Sequence, residues 1–309
     1  MTRAARHPAA APMSHRGAVA TMLGATLLWS IAGIVTLRLE AARSFEVTFW
    51  RSFFNALALL VLLPWLRGPQ RLRQTLVHGG PTLWISGVCW SVMFTAFMLA
   101  LTLTGVANVL VTMALAPLLT ALMARFALGR RQPRRTWATV AVAGAGILWM
   151  YAREASAADG RHLLGSVVAL AVPIAAAINW TVIQASREAA DRDLLPAVLI
   201  GALISAALTL PLALPFAGSA HDVALLALLG VAQLAIPCLM SVAAARALSA
   251  PEVSLLALLE IVFGVAWPWL AGHGAPAAHV LGGGLLVLGA LAVNEALALR
   301  GQPVRRSTA

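Results

Sequence analysis

The chain has 309 residues, of which 61% are hydrophobic and 11% charged, where soluble domains carry about 25% charged residues. The apolar residues fall in runs long enough to cross a roughly 30 Å hydrocarbon layer as helices of about 20 residues, which excludes a water-soluble globule. The net charge of +11 comes from 22 Arg, with no Lys, against 11 acidic residues, and these Arg lie mostly in short segments between apolar runs, which favours membrane topology over nucleic-acid binding.

Residues 1–16 carry Arg3, Arg6 and Arg16 among Ala and Pro and are expected to form a tail. The apolar run Gly17 to Leu37 is too long for a signal-peptide core and meets no small-residue cleavage site before Arg38, so a retained first helix is expected. Apolar runs punctuated by Pro, Gly and charge predict helices over 17–37, 46–66, 82–102, 105–128 and 136–152. A second set follows over 163–185, 194–216, 222–247, 251–271 and 278–299. Only Leu103 and Thr104 separate the third helix from the fourth, which predicts antiparallel neighbours.

With the N-terminus in the cytoplasm, seventeen Arg fall in inside segments and four outside, with Arg51 left within a helix. The positive-inside rule then places both termini in the cytoplasm. The loop 153–162 divides a unit over 17–152 from one over 163–299, with a tail over 300–309. Five crossings per unit make the second start from the opposite side, so the fold class expected is all-α integral membrane, with ten transmembrane helices as two inverted five-helix repeats. Weak self-similarity supports this: Leu103 to Met150 and Leu248 to Asn294 each run from a short polar turn through a Leu/Ala helix and a Gly, Gly129 or Gly272, into a Gly-containing helix.

Several polar groups fall inside spans. Glu260 lies near the middle of the ninth, where a carboxylate costs several kcal/mol unless it faces a cavity, is protonated or is paired. It is a candidate substrate or proton site, with a neutral interhelical hydrogen bond as the plain alternative. Glu295 lies about one turn from the end of the last helix and can reach water. Arg51 shares a face of the second helix with Asn55 and Thr48. Glu46 is an unsuitable partner for it, because five residues rotate about 140° along a helix. Arg51 is expected near an outer mouth, either contacting solute or anchoring structurally.

Trp65 and Trp84 sit near span ends and suit an interfacial belt. Trp29, Trp90 and Trp180 lie deeper, where they either line a cavity or simply pack; Trp180 shares a face with Gln184. Pro117, Pro173, Pro237 and Pro268 interrupt helices four, six, eight and nine and free backbone carbonyls. Gly282, Gly289 and Ala296 recur on one face and suit close helix packing. Cys89 and Cys238 have no metal-ligand spacing and read as packing residues.

The order of Leu28-Trp29-Ser30, Arg51, Ala114-Leu115-Ala116-Pro117, Gly129, Leu259-Glu260 and the Gly-rich stretch Gly282 to Gly289 resembles the EamA family of the drug/metabolite transporter superfamily. The resemblance spans nearly the whole chain and implies ten helices in two five-helix repeats working by alternating access, with export of an amino acid or other small metabolite as the family-level expectation. The chain departs from the family at Ile261, which replaces Pro after Glu260. It departs again at Arg130 and His273, which replace the Glu that commonly follows the Gly closing helices four and nine.

The substrate-contacting set expected is therefore Glu260, Arg51, Trp29, Trp90, Trp180, Asn55 and Gln184, around a midplane site built by helices one to four and six to nine. The partners expected are a small-molecule substrate and the lipid bilayer of a bacterial inner membrane, with no cofactor and no nucleic acid. An intramembrane enzyme is disfavoured: no G-x-S-x-G, H-E-x-x-H or paired-carboxylate motif occurs, and every His lies in a tail, a loop or a helix end. A non-transporting scaffold would need neither Glu260 nor Arg51 at depth. A polar cavity touching Glu260 separates transport from scaffolding.

Overall fold

A computed structural model describes residues 13–42, 44–104, 106–151, 160–190, 193–272 and 277–300. The outermost tails, the connecting loop over 152–159 and His273 lie outside the described residues. Among those described there are helices and short turns and no strand.

The first span is α1 (His15–Ser30), capped by the Ser14 hydroxyl, which accepts from the Gly17 N–H at 3.1 Å. It bends at Ile31 into α2 (Ala32–Thr36). The second span is α3 (Ser44–Arg67). After it the chain forms α4 (Pro69–His78), a helix inside a segment expected to be loop. Pro69 at its first position and Gly68 before it, with φ +81°, are the local signals that start it. The third span is α5 (Gly80–Leu103). The fourth is broken into α6 (Val106–Met113) and α7 (Ala116–Leu128), and α8 (Arg134–Tyr151) follows.

The second half opens with α9 (Gly160–Ala190) and α10 (Pro196–Ala213). The next span changes register within itself: α11 (Ala220–Leu228), a π-helical segment over Leu229–Ala235, then α12 (Ile236–Ala244). A second broken span consists of α13 (Ala250–Ala257) and α14 (Leu259–Leu270), and α15 (Ala278–Arg300) ends the fold. The Gly expected at the ends of the two broken spans are there for a conformational reason: Gly129 and Gly272 have φ of +65° and +83°, the left-handed turn that closes a helix.

Among the described residues, eight segments are long and apolar enough to cross a membrane. The other two helices expected to cross, α8 and α15, occupy the expected positions but fall short by that measure. Tandem Arg134 and Arg135 open α8, and α15 is a continuous helix whose apolar stretch covers Ala278–Asn294 among the described residues. These two pair with each other through a backbone approach that only Gly permits, since a Cβ on Gly146 would lie 2.8 Å from the Gly283 carbonyl. The expected Gly282/Gly289 seam is corrected accordingly: Gly282 faces the Trp149 ring, while Gly289 has nothing within 4 Å.

Large apolar side chains such as Leu60, Val61, Val88 and Leu208 are exposed along the spans, while Ser52, Asn55, Thr120, Asn179 and Ser205 are buried. Water would penalise that inversion and a bilayer favours it. The chain is a multi-pass membrane protein. Trp65 and Trp84 are exposed near helix ends.

Packing pairs α5 with α9, α10 with both α3 and α5, α3 with the π segment, and α1 with α12, α13 and α14. Among the described residues the broad faces of α5 pack on α9 and α10, and α5 also meets α6 beyond their shared turn. Hydroxyls join the centre of the bundle, where Ser205 on α10 bonds Ser52 on α3 and Thr95 on α5, each at 2.9 Å.

Candidate functional site

The breaks in the helices place a cavity at the middle of the bundle. Its lining includes Trp29 of α1, Arg51 of α3, Trp90 and Phe94 of α5, Ala176 and Trp180 of α9, Gln233 and Cys238 of the eighth span, and Glu260 of α14. Met113 and Ala116 flank the α6–α7 break, and Ala257 and Leu258 form the α13–α14 break, so both discontinuities open onto it. Its volume of about 130 Å³ is roughly ten times the 10–15 Å³ that one water needs, so it can admit a small solute. The seventh span, α10, is expected to help build the site; it is absent from the lining of this cavity and packs on α3 and α5.

Arg51 is 5% exposed, and its Nη2 donates to Gln233 Oε1 at 2.8 Å. Among the described residues this is its one hydrogen bond, and its Nε is buried with no partner. Most of the five donors of the guanidinium are therefore uncommitted. Glu260 is within electrostatic range of Arg51, and among the described residues no direct ion pair joins them. Glu260 retains accessible surface although it lies at depth, because it borders the cavity. It occupies the first turn of α14, directly after the break at Leu258, rather than the middle of a continuous helix. Ile261 explains how the break persists without Pro: its N–H donates to the Leu258 carbonyl at 3.1 Å, three residues back, in a tightened turn.

The walls are aromatic. Trp90 meets Trp180 edge to face at 5.7 Å and 89°, and Phe94 lies 5.6 Å from Trp90. Of the residues picked out in the sequence, Glu260, Arg51, Trp29, Trp90 and Trp180 come together at the cavity. Asn55 and Gln184 do not. Asn55 is fully buried where α3 meets Gly230 of the π segment, and Gln184 Oε1 accepts the Ala250 N–H at 2.9 Å, holding the start of α13.

Arg51 lies about two turns after the start of α3 at Ser44 and borders the central space. Glu46 faces elsewhere, as its rotation along α3 requires, and accepts the Ala217 and Gly218 N–H groups at 2.9 Å each. Pro117 and Pro237 start new helical segments, at the second positions of α7 and α12, whereas Pro173 lies within an uninterrupted α9 and lines the cavity. Sequence reasoning passed over Gln233. Its signal was a lone amide inside the apolar run Val223 to Ala245, overlooked because charged groups were weighed first. Cys238, read as packing, also borders the cavity.

A chamber with aromatic walls and a few polar groups, inside a bundle of broken helices, is a feature that transporters use. Residues 16–152 match the EamA-like transporter family. EamA belongs to the drug/metabolite transporter superfamily, so residues 16–152 are similar to a transporter of that type. The EamA-like segment covers α1 to α8 and holds Trp29, Arg51 and Trp90, while Gln233 and Glu260 lie beyond it. A solved structure described as a crystal structure of protein shares the fold over the second half as well: TM-score 0.75, 22% identity, covering 94% of this chain and 100% of that one. No curated protein matches the sequence.

Proposed function

We propose that the chain is a secondary transporter that exports a small zwitterion, an amino acid or a related solute, by alternating access of two inverted five-helix repeats. The observation that carries this reading is the central cavity bordered by both Arg51 and Glu260 and walled by Trp29, Trp90 and Trp180. An Arg and a Glu at depth that do not touch are costly in a bilayer core, and a ligand with a carboxylate and an ammonium offsets both charges at once. A scaffold with a dry centre gains nothing from that arrangement.

The repeat assignment is supported by the packing. Numbering the expected crossings one to ten and exchanging each with the one five places on maps the contact of α5 with α9 onto that of α12 with α1. It maps α3 on the π segment onto α10 on α5, and α7 on α9 onto α13 and α14 on α1. The pairs α3 with α10 and α8 with α15 map onto themselves. The Arg distribution supports placing the α9–α10 turn and both termini in the cytoplasm of a bacterial inner membrane.

The test is metabolite profiling of the medium around cells with and without the chain. A zwitterionic solute should accumulate outside only with the intact protein, and Glu260→Gln should abolish its export or remove the pH dependence of export. Identical media in the two cultures would overturn the reading.

A further inference from the structure

Gln233 is the polar residue of the cavity that joins two other walls. Its Oε1 accepts from Arg51 Nη2 at 2.8 Å, and its Nε2 donates to the Trp29 carbonyl at 3.1 Å. Those two partners fix the amide's orientation without ambiguity, because a guanidinium cannot accept and a carbonyl cannot donate. The residue is 4% exposed, and both ends of its amide are engaged.

Its helix is shaped to present it. Gln233 lies in the π segment Leu229–Ala235, and Cys238, five residues on, borders the same cavity. In a regular α-helix residues five apart point about 140° away from each other; the wider turn of the π segment, which ends two residues past Gln233, reduces that angle. Gly230 allows that widened turn to seat against α3, since a Cβ there would lie 2.8 Å from the Arg51 carbonyl and 2.6 Å from Phe54 Cβ. The backbone that carries Arg51 and the backbone that carries Gln233 are thus in direct contact, and their side chains meet at the cavity.

We infer that Gln233 is a positioning and selectivity residue: it holds the Arg51 guanidinium in place and, being neutral, leaves the full positive charge available to a carboxylate. This deepens, and rests on, the zwitterion reading above. A carboxylate at position 233 would occupy the same donor and cancel the charge, turning the site towards amines that Glu260 alone can hold. Because the amide also grips the Trp29 carbonyl beside the bend at Ile31, the anion subsite is tied to the first span as well as to the second and eighth.

The experiment measures binding to the full chain purified in detergent with three probes that share one ring: phenylalanine, 2-phenylethylamine, which lacks the carboxylate, and 3-phenylpropanoate, which lacks the amine. Gln233→Met, close in volume but unable to bond Arg51, is expected to weaken phenylalanine and 3-phenylpropanoate by about tenfold and leave 2-phenylethylamine unchanged. Gln233→Glu is expected to invert the order, so that 2-phenylethylamine binds better than either acid. Equal losses on all three probes, or none, in a variant that stays monodisperse would overturn the inference and leave the transport reading intact. If the unsubstituted protein binds none of the three, this inference fails, while the zwitterion reading stands or falls on metabolite profiling.

Discussion

Asp222 stands at the start of α11, and its carboxylate is fully buried. It accepts the N–H groups of Glu40, Ala41 and Ala42 at 2.8 to 2.9 Å and that of Ser219 at 3.3 Å, while its own N–H donates to the Ser219 hydroxyl. One side chain therefore caps α11 and fastens the turn between α2 and α3 to it. Asp222→Ala leaves several donors without an acceptor, at a cost of about 1–3 kcal/mol for each that water cannot reach. We expect the thermal midpoint of the detergent-purified protein to fall in the order native, Asp222→Asn, Asp222→Ala. An unchanged midpoint for the Ala variant would show that the turn is held by other contacts. This role was not legible in the sequence, because it depends on backbone groups some 180 positions away. Arg51 and Glu260 were legible, because a charge inside an apolar run is conspicuous whatever it touches.

Among the elements, the spans followed from hydropathy to within a few residues, but their internal breaks did not. The α6–α7 break had a marker in Ala116-Pro117, whereas the break at Leu258 has neither Pro nor Gly beside it and depends on three-residue hydrogen bonds. Helix α4 was missed because its amphipathic stretch, with Leu72 buried and Arg71 and Arg73 on its other faces, is too polar to register as a span. Glycine spacing misled in the last helix for a related reason: a seven-residue repeat does not say what lies opposite. The contact between α5 and α10 shows the difference. A Cβ on Gly201 would come within 2.4 Å of Trp90 Cβ and 2.9 Å of the Gly87 carbonyl. Gly201→Ala must then push α10 from α5 and displace Trp90 at the cavity, whereas Gly289→Ala meets open space and gains helix propensity of up to about 1 kcal/mol. Thermal midpoints should fall for the first and hold or rise slightly for the second. A tolerated Gly201→Ala would mean that these helices are less closely apposed.

For the molecule as a whole, alternating access requires that the two ends of the bundle open in turn, and the ends are fastened differently. At the α9–α10 end, Arg67 pairs with Asp193 at 3.1 Å, His15 lies 3.6 Å from Glu252, and Arg187 donates to the Arg246 and Leu248 carbonyls. At the α2–α3 end, two carboxylates hold backbone from across the gap: Asp222 holds residues 40–42, and Glu46 holds Ala217 and Gly218. If transport needs that second end to part, a covalent link there must stop it. Ala42 Cβ lies 3.4 Å from where a Cβ on Gly218 would stand, close to the roughly 3.5–4.5 Å span of a disulfide. The new Cβ would approach Glu46 Oε1 at 2.9 Å, so that carboxylate has to shift by a few tenths of an ångström. Cys89 and Cys238 are both buried, so the native thiols do not compete for the engineered pair. The double variant Ala42→Cys/Gly218→Cys should lose export of the solute assigned by metabolite profiling when oxidised and recover it on reduction, while each single variant stays active throughout. Full export with the disulfide verified by mass spectrometry would mean that this end stays shut during the cycle, and the path across the membrane would have to run elsewhere.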